Sequence, residues 1–93
     1  MWLIFEWDPT KALHNERKHG VSFDEAKTAF ADASSLTIHD PEHSDAEDRY
    51  VLLGMSAAGR LLVVVHVERG DNIRLISART ADRREAAKYT WSQ

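Results

Sequence analysis

The stretch Arg49–Thr80 reads RYVLLGMSAAGRLLVVVHVERGDNIRLISART, and it decides the fold. Its long apolar and β-branched runs are separated by the short joints AAG and RGDN, which contain the glycine that hairpins favour. We therefore place three strands here, at about Arg49–Ser56, Arg60–Glu68 and Ile73–Thr80. Consecutive strands with such short joints form an antiparallel meander.

Outward from the meander, capping signals mark two helices in the first third of the chain. Asp8 suits the N-cap of one helix, and Gly20 suits its left-handed C-cap. Ser22 and Glu25 have the spacing of a capping box for the next helix. The predicted elements outside the meander are strands at residues 2–7 and Leu36–His39 and helices at about Pro9–Lys18, Phe23–Asp32 and Asp82–Trp91.

This order of elements predicts an α+β fold. Two N-terminal helices should pack on an antiparallel sheet, with a C-terminal helix after it. A chain of 93 residues is expected to form one domain, residues 1–93.

The alternation of side chains along Arg60–Glu68 suggests which sheet face is functional. Its odd positions are all apolar (Leu61, Val63, Val65 and Val67), so we expect that face to pack on the two helices. The even positions carry Arg60, His66 and Glu68 around an apolar patch, and either the last helix, a partner or a ligand should cover it. The register of the next strand is open, so either Arg74 or Arg79 can share the polar face.

Charge is distributed unevenly along the chain. Residues 59–93 hold seven basic and four acidic residues, a sum of +3, whereas residues 1–58 hold five basic and eleven acidic residues, a sum of −6. Arginine binds phosphate through a planar fork, so the arginine-rich end suits a polyanion.

Several classes of protein are disfavoured by composition. The chain has no cysteine, which removes disulfides and thiolate chemistry and suits a reducing cytoplasm. The apolar runs are too short to span a bilayer, and we expect neither a signal peptide nor a membrane location.

Motifs along nearly the whole chain resemble one known family. They are Phe5-Glu6-Trp7-Asp8-Pro9, Asn15, Lys18-His19-Gly20-Val21-Ser22-Phe23, Asp48-Arg49-Tyr50, Gly59-Arg60, Ile73-Arg74-Leu75-Ile76-Ser77-Ala78-Arg79 and Arg84-Glu85 with Tyr89. In these blocks the chain is similar to the BrnT family of type II toxins.

The resemblance implies a small RelE-like endoribonuclease toxin that inhibits translation. It further implies neutralisation by a BrnA-like antitoxin with a ribbon-helix-helix part, so that the toxin meets operator DNA only through the antitoxin. No cofactor is expected.

RNA can be cleaved without a metal when its own 2′-hydroxyl attacks the neighbouring phosphorus. The reaction needs cations for the developing charge, a base and an acid. The candidate catalytic residues are Arg60, Arg79, His66, Glu68 and Tyr89. The candidate RNA-binding residues are Arg74, Arg83, Arg84 and Lys18.

Each of these residues also has a purely structural interpretation. A histidine on an apolar face is commonly a satisfied core residue, Lys18 suits the C-terminus of the first helix, and Tyr89 can simply close the core. Arg74 can pair with a carboxylate across the sheet, and Arg83 and Arg84 can lie on a solvated helix face.

Three alternatives to a metal-free ribonuclease are weaker. His39, Asp40, His43 and Asp45 contain metal-ligand chemistry, but their spacing fits no standard site, so we expect no metal. A non-catalytic corepressor that binds an antitoxin is the second alternative. Plain single-stranded nucleic-acid binding is the third, and the negative net charge disfavours it.

Overall fold

The structure is a computed structural model that describes residues 3–43 and 47–93. Its elements are β1 Ile4–Glu6, α1 Pro9–His19, α2 Phe23–Thr28, β2 Leu36–Asp40, β3 Arg49–Met55, β4 Leu61–Arg69, β5 Asn72–Thr80 and α3 Arg83–Trp91, with 3₁₀ turns at Ala29–Ala31 and Pro41–His43. The strand predicted for residues 2–7 thus appears as β1, and its first residue, Trp2, lies outside the described residues. Residues 44–46 lie outside them as well.

The predicted helix caps are confirmed. The Asp8 carboxylate accepts a hydrogen bond from the Thr10 amide at 2.8 Å, and Gly20 ends α1 with a φ of 70°. The Ser22 hydroxyl accepts from the Glu25 amide at 3.0 Å. A reciprocal capping box forms instead at α3, between Asp82 and Glu85.

The five strands form one sheet in the order β1-β5-β4-β3-β2. The antiparallel meander of β2 to β5 is confirmed. The prediction of an antiparallel sheet is wrong in one respect, because β1 pairs with β5 in parallel and the sheet is mixed. No tight turn joins β1 to β5, so nothing local in the sequence sets the direction of this pairing.

The prediction for the two faces of β4 is also wrong. The even residues Leu62, Val64 and His66 are almost completely buried, and the first two belong to the core beneath α1 and α2. Phe23 is the largest core side chain that α2 contributes, and Trp7 packs edge-on against it at 5.9 Å between ring centroids. The odd residues therefore lie on the opposite face of the sheet, which we call the open face.

A β-bulge between β4 and β5 sets the position of two arginines. Val65 pairs with Ser77 but His66 pairs with Leu75, so Ile76 is an extra residue in β5. Beyond it, Arg74 pairs with Val67 while Arg79 pairs with Val63. Because Val63 and Val67 share a face, the bulge places both arginines on the open face, although they are five positions apart, an odd number that would put them on opposite faces of a regular strand.

Helix α3 lies on the open face and covers part of it. Two of its side chains, Glu85 and Lys88, line a groove with the apolar residues of the sheet, namely Leu36, Ile38, Val51, Leu53 and Val63. The cover is incomplete, since Ile38 remains 65% exposed. The last helix thus covers the odd face of β4, and not the even face for which the sequence left a helix, a partner or a ligand open; the even face is covered by α1 and α2.

Candidate functional site

Arg79 is the most highly organised basic residue of the open face. Its Nη1 and Nη2 atoms donate to the two carboxylate oxygens of Glu85 at 2.8 and 2.7 Å. Glu85 also accepts from the Asp82 amide at 2.9 Å, which ties this ion pair to the first turn of α3. The Arg79 side chain is still 42% exposed, so its remaining N–H groups can reach a ligand.

The ion pair changes the acid–base properties of Glu85. The hydrogen bonds from Arg79 lower the pKa of Glu85 from 4.5 to about 2. A carboxylate with so low a pKa is a poor general base near neutral pH. Glu85 therefore holds the guanidinium in place rather than accepting a substrate proton.

This pair predicts a specific loss of stability in acid. Because the folded pKa of Glu85 is depressed, its contribution is complete above about pH 4.5 and is lost as the pH falls toward 2. We expect that contribution to be on the order of 1–2 kcal/mol, since the pair is partly exposed. The melting temperature of Glu85→Gln should thus fall less steeply between pH 5 and pH 2 than the melting temperature of the wild type.

The matched control for this measurement is Glu47→Gln. Glu47 makes a more exposed ion pair with Arg69. Its replacement should therefore change the slope of melting temperature against pH, between pH 5 and pH 2, less than the replacement of Glu85 does. Equal slopes for the wild type and Glu85→Gln would contradict the assignment.

Arg74 marks the other end of the open face. Its Nη1 atom lies 3.9 Å from the Glu6 carboxylate of β1, and its side chain is 31% exposed. The strand rise places it roughly 13 Å from Arg79 along the sheet. Beside the two arginines, β4 presents Val63, Val65 and Val67 on the open face, and such an apolar surface strengthens nearby electrostatic interactions.

Arg83 and Arg84 add positive charge where the helix itself does not favour it. Both are exposed and form the first two positions of α3, at the positive end of its dipole. Among the described residues, no acidic side chain forms an ion pair with either of them. Cations in this position suit the binding of an anion.

Tyr89 anchors α3 to the rest of the protein. Its hydroxyl donates to the Asp32 carboxylate at 2.6 Å, and Asp32 also accepts from the Met55 amide at 2.8 Å. The hydrogen bond to Asp32 raises the pKa of Tyr89. In this conformation the Tyr89 proton is therefore held by Asp32, and the catalytic role of Tyr89 stays a prediction.

Arg60 lies on the helix side of the sheet and not with Arg79. Its Nε atom donates to Glu25 at 3.0 Å, and one Nη atom donates to the Gly20 carbonyl at 3.0 Å. The expected meeting of Arg60 and Arg79 is not found. In this arrangement Arg60 links the end of α1 to the first turn of α2.

His66 and Glu68 are also separated from Arg79. His66 is only 2% exposed and packs edge-on against Phe30, and burial lowers its pKa. Glu68 is exposed, but it pairs with Ile73, roughly 16 Å along the strand from Arg79. Their acid–base roles stay predictions that this arrangement of side chains does not support.

Lys18 lies outside the open face, in a cleft between α1 and β5. The residues lining the cleft include His19, the neighbour of Lys18, and also Lys11 and His14, which were not among the predicted site residues. A signal for them was present, because Lys11, His14 and Lys18 are spaced i, i+3 and i+7 on one helix face. Arg49 also lies on the open face, because it pairs with Val67 of β4.

The histidines considered for metal binding have carboxylate partners. His39 lies 3.1 Å from Asp48, and His43 lies 2.8 Å from Asp40. Asp45, the fourth residue of that alternative, lies outside the described residues. Within the described ranges, no cluster of at least three His, Asp or Glu side chains is arranged to hold a metal ion.

A search for membrane-spanning helices among residues 3–43 and 47–93 finds none that is long and apolar enough to cross a bilayer.

Comparisons with known proteins identify the family. A family model described as "Ribonuclease toxin, BrnT, of type II toxin-antitoxin system" matches residues 7–85. Among solved structures, the chain is similar to the Brucella abortus ribonuclease toxin BrnT, with 21% identity, a TM-score of 0.64, and coverage of 88% of this chain and 100% of that one. A search of curated proteins finds no match. Because the family model covers most of its length, the chain belongs to the BrnT family of ribonuclease toxins of type II toxin–antitoxin systems.

Proposed function

We propose that this toxin cleaves RNA on the open face without a metal, by attack of the RNA 2′-hydroxyl, and so inhibits translation in the cytoplasm. The observation that carries the proposal is the β-bulge, which puts Arg74 and Arg79 on one apolar face. One guanidinium group on such a surface can bind the scissile phosphate while the other binds a neighbouring phosphate. The proposal also includes one toxin domain spanning residues 1–93, with a RelE-like arrangement of helices and sheet.

In the proposed reaction, a bond forms between the 2′-oxygen and phosphorus while the bond from phosphorus to the 5′-oxygen breaks. The 2′-hydroxyl loses its proton to water, and the 5′-oxygen gains a proton from water. Arg79 stabilises the negative charge that develops on the phosphate oxygens. Its orientation is fixed in advance by Glu85, so little reorganisation is needed at the moment of reaction.

The other residues would bind and orient the RNA. Arg74 would hold a phosphate on one side of the scissile bond, and Arg83 and Arg84 would attract the strand toward α3. The acid–base roles predicted for His66, Glu68 and Tyr89, and the catalytic role predicted for Arg60, would each require a rearrangement of the side chains described above.

The type II system implies an antitoxin partner, and we propose a BrnA-like protein with a ribbon-helix-helix part. The apolar groove beside α3 supports a protein interface, because Ile38 lines it and is 65% exposed. Trp91, the last residue of α3, is a second exposed apolar side chain at 87%. An antitoxin bound there would cover Arg79 and block the RNA. The pair would meet operator DNA through the antitoxin alone.

The proposed chemistry predicts the ends of the RNA products. Incubation of the purified protein with 5′-labelled RNA should yield fragments with 2′,3′-cyclic phosphates and 5′-hydroxyls, at an unchanged rate in excess EDTA. Mass spectrometry of the fragments checks the ends. Loss of cleavage in EDTA, restored by added Mg²⁺, would overturn the metal-free route. Intact RNA bound without cleavage would instead favour the non-catalytic alternative.

A further inference from the structure

A second basic surface lies away from the open face, in the cleft between α1 and the outer edge of β5. The cleft has a volume of about 530 Å³ and exists because β1 ends at Glu6, which leaves the later part of β5 without a neighbouring strand. The residues that line it are Thr10, Lys11, His14, Asn15, Lys18, His19, Ile76 and Ser77. This set contains two lysines and two histidines but no carboxylate.

The floor of the cleft is held rigidly by Asn15. Its side-chain amide donates to the Ala78 carbonyl at 2.8 Å, and its oxygen accepts from the Ala78 amide at 3.0 Å. Asn15 also donates to the Val21 carbonyl at 3.0 Å. The basic side chains of α1 are therefore presented from a fixed helix position.

Helix capping does not explain all of these cations. Lys18 and His19 lie in the last turn of α1, where the helix dipole favours positive charge. Lys11, however, lies in the first turn, which contains no acidic residue and where the dipole disfavours a cation. A basic residue in that position, in a chain of net charge −3, points to an anionic ligand.

The four basic side chains are also free to bind. In the part of the chain that the structure describes, no carboxylate forms an ion pair with Lys11, His14, Lys18 or His19. Lys11 and Lys18 are both exposed. They are seven positions apart in α1, about 10 Å along the helix axis.

We infer that this cleft binds the phosphate backbone of the RNA substrate at nucleotides beyond the cleaved bond. Ser77 connects the two surfaces, since it pairs with Val65 of the open face and also lines the cleft. An RNA strand bound at Arg79 can thus cross the β5 edge past the end of β1. The inference rests on the proposed function, because it takes the substrate to be RNA.

The chemistry of the cleft favours RNA over an acidic protein segment. Lysine and hydroxyl side chains are typical phosphate contacts. Lysine is depleted in protein interfaces, which depend on buried apolar anchors. Ile76 is the only large apolar residue among those lining the cleft.

The test compares Lys11→Gln/Lys18→Gln with the wild type, using a fluorescent 12-nucleotide RNA whose 2′-O-methyl groups prevent cleavage. The loss of two phosphate contacts should weaken RNA binding on the order of tenfold. It should also reduce the slope of the logarithm of the association constant against the logarithm of salt concentration by about 1.4. The matched control is Lys27→Gln, a lysine of α2 that pairs with Asp24 and does not line the cleft. It should bind like the wild type.

Cleavage of two substrates separates this inference from the proposed function. The loss of kcat/KM in the double variant should be about tenfold on an unmodified 12-nucleotide RNA and smaller on a dinucleotide, which is too short to reach the cleft. A wild type that cleaves neither substrate would sink the proposed function, whereas the binding comparison would still test the cleft. Unchanged RNA binding by the double variant, or an equal loss in Lys27→Gln, would overturn the inference. So would a loss of affinity confined to an acidic peptide such as oligoglutamate.

Discussion

Replacing Arg79 with alanine is expected to slow RNA cleavage by about 100- to 1000-fold, the usual cost of removing one preorganised charge donor from a transition state. The fold should survive, because Arg79 is 42% exposed and its pair with Glu85 is partly solvated. The measurement is kcat/KM on a labelled RNA, with thermal unfolding recorded for the same samples. Arg79→Lys should recover part of the rate, since it keeps the charge but loses the planar fork.

The control for this change is Arg69→Ala. Arg69 also makes an ion pair with a carboxylate, Glu47, but it lies at the far end of β4, beside the turn into β5. Its removal should leave the cleavage rate within about threefold of the wild type, because a distant exposed charge acts only through long-range attraction. Comparable losses in both variants would show that net charge, and not the position of Arg79, governs the rate.

Arg60→Ala distinguishes two hypotheses for the catalytic site: the open face with Arg79, and the sequence-based prediction in which Arg60 and Arg79 act together. Arg60 joins Glu25 to the Gly20 carbonyl, so its removal should lower the melting temperature more than the cleavage rate. A 100-fold loss of rate with an unchanged melting temperature would restore Arg60 as a catalytic residue.

Replacing Asn15 with alanine is expected to destabilise the protein by about 3 kcal/mol or more, because buried polar groups left without partners cost about 1–3 kcal/mol each. Asn15 is 5% exposed and makes three hydrogen bonds to the backbone. For a domain of this size, that loss lowers the melting temperature by roughly 12–24 °C. Chemical and thermal unfolding both measure it.

The other asparagine of the chain, Asn72, provides the matched control. It begins β5, and its side chain makes no hydrogen bond within the described residues. Asn72→Ala should therefore stay within about 0.5 kcal/mol of the wild type. If Asn15→Ala unfolded at the same temperature as Asn72→Ala, the side chain of Asn15 would not be what joins α1 to the sheet.

The elements of the fold were predictable from the sequence because their signals are local. Asp8, Gly20 and Ser22 each act within one helical turn, and the joints AAG and RGDN specify hairpins over three or four residues. The direction of β1 was not predictable, because its partner β5 is distant in sequence and no turn constrains the pair.

The buried face of β4 could not be assigned by alternation alone. Both faces of that strand are largely apolar, so the pattern did not distinguish the face under α1 and α2 from the face under α3. His66 was interpreted as a mark of the polar side, yet it packs in the core between Phe30 and Tyr50. The wrong face for Arg60 followed from that assignment.

The extra residue in β5 has a consequence for how this toxin tolerates changes in length. At Ile76 the alternation of β5 side chains between the two faces of the sheet shifts by one position. As a result Ile73 and Leu75 are buried while Arg74 is not. Deleting Ile76 would remove the bulge and leave Arg74 opposite Val67 on the open face, whereas a register in which Ile76 paired regularly would turn Arg74 inward, toward the core. The strand should therefore accept the loss of this one residue more readily than a slip of its pairing with β4.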